Sequence, residues 1–305
     1  MNWKWKAFLQ LALSAAPGGE HANYFFQKHV TRTLPISEAG FADQVHYAQE
    51  HIDAISRHYQ GPITRATFYE FGAGWDLIIP LALYAFGVEK QILADVRSLL
   101  RPSLTNDAIE KFQTVASCKL SRKPERRLSD ATPAQLKTFY GIEYRAPVDP
   151  KQTGLESSSI DCITSTSTLE HIPQSELKLV LEECYRLLRA GGVMSFVIDY
   201  GDHYSYFDPG ISAYNYLKYS DTAWAFFNPM LHYQNRLRHP DYLDLLKNAG
   251  FEIVAEQRYG DSPTNRKIIK ALGIQERFDR YGVDDLVVGS ALIVSRKPET
   301  VTGLD

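Results

Sequence analysis

Residues 67 to 83, TFYEFGAGWDLIIPLAL, carry one apolar run into another through Gly72 and Gly74. The first run, inside TRATFYEF, has the length and aromatic content of a buried strand, and the second, WDLIIPLALYAFG, that of a helix with Gly87 as its stop. Such a unit must continue into a parallel sheet, and the chain repeats it. QILADV is a second strand; a helical stretch spans residues 105–117; SIDCITS is another strand. SELKLVLEECYRLLRAGG is an amphipathic helix closed by glycines, and VMSFVIDY the next strand. PDYLDLLKNAGFEIVAEQRYG gives helix, Gly250 and strand, and DDLVVGSALIVSRK a final, antiparallel strand. The reading is an α/β chain on a mostly parallel sheet with its last strand antiparallel.

Four segments follow. Residues 1–60 form a helical N-terminal cap, in which Phe41, Val45, Ala48, Ile52 and Ile55 recur at helical spacing before Gly61-Pro62. Residues 61–200 form the cofactor-binding core, 201–240 an aromatic-rich insertion, and 241–305 the completion of the sheet. The opening MNWKWKAFLQLALSAAPGG loosely imitates a signal peptide, but its apolar run is short and broken by Gln10. An amphipathic helix ending at Pro17-Gly18-Gly19 accounts for it better. No segment approaches the 18 or so apolar residues of a membrane span. A net charge of −3 gives no general pull toward nucleic acid. Cys118, Cys162 and Cys184 show no metal spacing, and buried reduced thiols point to a reducing compartment, hence the cytoplasm.

The glycine loop narrows the ligand. A phosphate-binding loop needs Gly-Lys-Ser/Thr, whereas Trp75-Asp76 follows Gly74. A nicotinamide loop needs a third glycine where Leu77 stands, and Asp76 puts negative charge where a pyrophosphate would sit. A cofactor with a cationic or zwitterionic end remains. Glu70 at the strand tip offers a carboxylate to an ammonium group. Asp95, 25 residues later, ends the second strand where it can accept from ribose hydroxyls.

The sequence E-x-G-x-G with that later acid resembles the class I S-adenosylmethionine-dependent methyltransferases. VDPKQTGLESSSIDCITSTSTLEHIP and EECYRLLRAGGVMSFVI resemble the same family in order and spacing, Asp149 lying twelve residues before Asp161. The resemblance covers residues 65 to 200 and extends more thinly to 296. It implies a Rossmann-like, mostly parallel seven-stranded sheet with an antiparallel last strand, and an enzyme that binds S-adenosyl-L-methionine and releases S-adenosyl-L-homocysteine. By the same resemblance Glu70, Phe71, Gly72, Ala73 and Gly74 line the methionine end, Asp95 and Val96 the ribose, Asp149 and Pro150 the adenine, and Ser165 and Thr166 the methionine backbone. Two positions depart from the family: Trp75-Asp76 replaces a small residue, and Pro150 has no N–H to give the adenine.

The expected acceptor is a small molecule, most naturally a hydroxyl of a sugar or secondary metabolite; nitrogen, sulfur or carbon acceptors and a non-catalytic cofactor-binding subunit are the alternatives. A hydroxyl needs a general base or a metal ion. His203, just past a strand tip, is the expected base, with His232 and His171 behind it. Asp199, Asp202, His203 and Asp208 could bind a divalent ion, but no metal ligands are assigned. The aromatics of residues 201–240 read as a water-excluding lid. Lys119, Arg122, Lys123, Arg126 and Arg127 read as a solvated loop, or alternatively as a clamp for an anionic acceptor.

Overall fold

The computed structural model describes residues 2–14, 24, 28, 34–115, 120–129 and 132–299. The regular elements are α1 (Trp3–Ser14), α2 (Glu38–His58), β1 (Thr67–Phe71), α3 (Ile78–Ala85), β2 (Lys90–Ala94), α4 (Pro102–Thr114), α5 (Thr132–Tyr140), β3 (Ile142–Arg145) and β4 (Ile160–Thr166). Then come α6 (Gln174–Leu187), β5 (Leu188–Asp199), α7 (Asp221–Ala225), α8 (His239–Asn248), β6 (Glu252–Tyr259), α9 (Pro263–Ala271), α10 (Val283–Leu286) and β7 (Ser290–Arg296). Cys118, Lys119 and Pro17-Gly18-Gly19 lie outside the described residues. Among the described residues no helix is long and apolar enough to cross a membrane.

One seven-stranded sheet has the order β3-β2-β1-β4-β5-β7-β6. β1 pairs in parallel with β2 on one side and β4 on the other, and β7 runs antiparallel to both β5 and β6. The strand order turns back between β1 and β4, so the loops after their carboxyl ends diverge and leave a crevice. The antiparallel last strand is as the sequence predicts. β3 has no clear signal of its own: four residues, Ile-Glu-Tyr-Arg, of which only Ile142 is fully buried.

The sheet is covered on both faces. Phe41, Val45, Ala48, Ile52 and Ile55 of α2 join α3 and α4 in one apolar layer, with Phe68, Leu93 and Val193 of the strands. Residues 38–58 are thus a layer of the core, not a cap over it, because their helical stripe has a sheet face to bury. The other layer joins Leu177, Val180, Leu181 and Cys184 of α6 and Tyr242 and Leu246 of α8 to Tyr69, Ile163 and Phe196. Cys162 and Cys184 are buried free thiols.

A third cluster stands off the sheet. Trp3 of α1 packs with Tyr204, Tyr214, Tyr216, Trp224 and Phe278, so most aromatics of residues 201–240 form a core of their own. Arg238, fully buried, ties that cluster to the sheet. Its guanidinium donates to Tyr200 O (2.9 Å), Tyr216 Oη (2.6 Å) and Leu286 O (2.8 Å).

Candidate functional site

β1 ends at Phe71, and the next residues turn through the left-handed region: Gly72 at φ 78°, Gly74 at φ 74° and Leu77 at φ 58°. A Cβ on Gly72 would stand 2.4 Å from Thr168 Oγ1 and Cγ2, so the loop after β1 touches the loop after β4 there only because Gly72 has no side chain. A Cβ on Gly74 would meet nothing within 4 Å. The helix begins at Ile78, later than WDLIIP suggests, because Leu77 sits in the left-handed conformation and Asp76 takes the Ile78 N–H at 3.3 Å. Burial raises the Asp76 pKa to about 6. Trp75 stacks on Tyr24 (5.2 Å) with Arg101 5.4 Å from its ring, which accounts for a large side chain where the family has a small one.

A cleft of about 820 Å³ opens at the carboxyl ends of β1, β2 and β4, the size expected of a small-molecule site. It brings together Phe71, Gly72, Gly74, Asp95, Val96, Asp149, Pro150 and His171. Asp95 accepts from Arg97 N at 3.2 Å through Oδ1, while its buried Oδ2 has no partner. Burial raises the Asp95 pKa, against the pull of the Arg97 and Gly74 N–H groups. An orphaned acceptor on the cleft wall fits a ribose hydroxyl. At the far end Asp149 accepts from Lys151 N (2.9 Å), and Lys151 pairs with Glu176 at 2.9 Å.

Six expected residues do not line the cleft: Glu70, Ala73, Ser165 and Thr166, and the imidazoles of His203 and His232, which stand behind His171. Glu70 lies beneath the loop, 3% exposed, accepting from Thr164 Oγ1 at 3.1 Å; burial lifts its pKa to about 8, partly opposed by that hydrogen bond. Ala73 is off the wall. Ser165 donates to Phe71 O (3.2 Å), and Thr166 bonds His51 Nε2 (3.0 Å), whose Nδ1 meets Ser195 Oγ at 2.8 Å. The wall is instead formed two residues later by Ser167 and Thr168, where the chain leaves β4 after Thr166. Met230, Leu231 and Tyr233 are the contribution of the aromatic segment.

Behind His171 lies a polar cluster. The His171 ring is 4.9 Å from that of His203, which is 6.0 Å from that of His232. His171 Nδ1 donates to Tyr233 O at 2.7 Å. His203 Nε2 lies 3.2 Å from Asp199 Oδ2, within ion-pair reach though not aligned as a hydrogen bond. Asp199 also accepts from Gly201 N (2.7 Å) and from the Tyr206 hydroxyl. Burial raises the Asp199 pKa, but His203, Tyr206 and Gly201 outweigh it and leave it below the usual range. Desolvation and the charge of His203 lower His171 to about 4, although its ring opens to the cleft, and lower His232 to about 2. Glu170, which sequence reasoning passed over, is 2% exposed with both carboxylate oxygens unpartnered. Burial and the nearby Asp199 raise its pKa well above the usual range.

Two further groups lie off the cleft. The set Asp199, Asp202, His203 and Asp208 does not assemble. Asp202 caps Tyr204 N (2.9 Å) and accepts from Asn215 (2.8 Å), while Asp208 takes Trp3 N at 3.0 Å. The described part of the basic run bonds and packs within the protein, with Lys123, Arg126 and Arg127 exposed as in a solvated loop. Arg122 donates to Tyr84 O and Val88 O (both 2.9 Å), Lys123 to Gln113 O (2.8 Å), Arg126 lies 4.8 Å over Phe139, and Arg127 pairs with Glu110.

Residues 104–196 match a family model described as a methyltransferase domain. No curated protein sequence matches the chain. Among solved structures it is similar to the CurJ carbon methyltransferase, with 17% identity and a TM-score of 0.46 over 84% of this chain and 54% of that one. It is similar to the cyclase SpnF, with 15% identity and a TM-score of 0.47 over 83% and 81%. A third is phosphoethanolamine N-methyltransferase 2 of Haemonchus contortus in complex with S-adenosyl-L-methionine, with 13% identity and a TM-score of 0.47 over 90% and 59%. The chain thus spans little more than half the length of the first and last of these.

Proposed function

Because this chain carries a methyltransferase domain on the Rossmann-like sheet of the class I S-adenosylmethionine-dependent enzymes, we propose that it methylates an oxygen of a small acceptor, a hydroxyl of a sugar or secondary metabolite. The observation that carries the choice of oxygen is the cluster behind His171: three imidazoles and two carboxylates, of which His171 itself lines the cleft. An amine or thiol acceptor has little use for such a set, whereas a hydroxyl must lose a proton of high pKa.

In the reaction the S–CH3 bond breaks and an O–CH3 bond forms. The electron pair stays on sulfur, S-adenosylhomocysteine leaves, and the hydroxyl proton must be taken up nearby. His203 is the imidazole with a carboxylate at its back, Asp199 at 3.2 Å. His171 and His232 are held neutral beside it. On the cofactor side, the orphaned Asp95 Oδ2 and the open face of Gly74 support a ribose and a methionine chain lying along that wall. Two buried free thiols support a reducing compartment such as the cytoplasm.

The test is methyl transfer from cofactor labelled at the methyl carbon, with a panel of sugars and hydroxylated metabolites and the product read by NMR. A methyl carbon at the chemical shift of an ether is expected, with His203→Ala abolishing it. A methyl on nitrogen or carbon would overturn the reading.

A further inference from the structure

We propose that Glu170, His171 and His203 together hold one divalent transition-metal ion behind the cleft wall at His171. A ligating atom of each lies within 4.8 Å of those of the other two, the one such group among the described residues. Metal bonds of about 2.0–2.2 Å require these atoms to draw in by roughly an ångström, a side-chain rotation.

Three features set this cluster apart from an ordinary polar one. Glu170 is buried with neither carboxylate oxygen hydrogen-bonded. A buried carboxylate without a partner is costly, and a cation resolves that cost. His171 commits Nδ1 to the Tyr233 carbonyl, which fixes its ring and leaves Nε2 as the free donor. His203 has Asp199 3.2 Å from its Nε2. A carbonyl or carboxylate that accepts the ring N–H is the arrangement that orients metal-bound histidines; His171 has it, and Asp199 stands within reach of His203. Two nitrogens and one carboxylate suit zinc, iron, cobalt or manganese better than calcium or magnesium, and three protein ligands leave positions open.

The binding of the ion stands on this geometry alone; its use rests on the reading of oxygen as the acceptor atom. An acceptor hydroxyl bound at an open position has its pKa lowered by the ion, so that its proton passes to solvent. His203 then serves as ligand where otherwise it would serve as base.

The test is a titration of chelator-treated protein with Co2+, read by its visible d–d absorption and by elemental mass spectrometry. One equivalent per chain is expected. Glu170→Gln, His171→Ala and His203→Ala should each weaken binding at least about tenfold, and Asp199→Asn about 10- to 100-fold as a positioning residue. Binding of S-adenosylhomocysteine reports that each variant is folded, and the near-isosteric Glu170→Gln carries the test if a histidine variant is not. No uptake by the wild-type chain, or unchanged affinity in folded Glu170→Gln and His171→Ala, would overturn the site. Cobalt bound at these residues with no oxygen-methylated product would leave the site standing and remove the acceptor reading.

Discussion

Gly72 and Gly74 share a positive φ but differ in surroundings, so alanine at each should fail differently. An alanine in the left-handed region costs about 1–2 kcal/mol. At Gly74 that is the whole structural cost, since a Cβ there meets nothing within 4 Å. At Gly72 the Cβ would lie 2.4 Å from two atoms of Thr168, adding an overpacking cost of about 1–3 kcal/mol. Gly72→Ala should therefore lose about 2–5 kcal/mol, a large part of an ordinary domain's stability. Gly74→Ala should lose about 1–2 kcal/mol but bind S-adenosylhomocysteine at least about tenfold more weakly, its methyl group projecting at the wall the cofactor follows; tenfold is about 1.4 kcal/mol. Urea unfolding gives the first quantity and calorimetric titration the second. Adding Thr168→Ala to Gly72→Ala should recover part of the loss. If Gly74→Ala binds as tightly as wild type, or if Thr168→Ala does not relieve Gly72→Ala, the reasoning from the loop is wrong.

Asp95→Asn should weaken S-adenosylhomocysteine binding by about 1.5–3 kcal/mol, the worth of hydrogen bonds to a charged group, with little loss of stability, as calorimetry and unfolding together would show. Glu70 holds its proton to about pH 8 in the folded chain but to only about 4.3 when unfolded. The folded state therefore binds more protons between these values, and this group's contribution is full below the lower one and lost as pH rises toward the upper one. Glu70→Gln should accordingly flatten the fall in stability from about pH 5 to 8, and an unchanged slope in urea unfolding across that range would refute it. Arg238→Ala should cost at least about 3 kcal/mol, leaving several buried carbonyls unpaired, and should lower the melting temperature by roughly 6 °C or more.

The glycines made the loop after β1 legible, because there a positive φ fixes the residue type, and Asp95 and Asp149 stand on the cleft wall where the order of motifs puts them. The layered sheet followed from the alternation of runs such as Thr67–Phe71 and Ile78–Ala85. What escaped depended on distance in space. β3 is too short to show a period, and nothing in the chemistry of Leu77 announces φ 58°. The family resemblance points to Ser165 and Thr166, whereas Ser167 and Thr168 line the cleft, because the sequence does not mark where β4 stops. Residues 38–58 gave their apolar stripe but not the partner it covers. Glu170 was invisible as a functional group, since only the folded chain shows its carboxylate buried without a partner beside two imidazoles.

The most direct measurement of the central claim is calorimetric titration of the purified protein with S-adenosylhomocysteine, with NADH as the control and mass spectrometry of the denatured sample to detect cofactor already bound. The account predicts saturable one-to-one binding of the sulfur compound, none of NADH, and marked loss of affinity in Asp95→Asn. No binding by protein shown to be free of retained cofactor would contradict it.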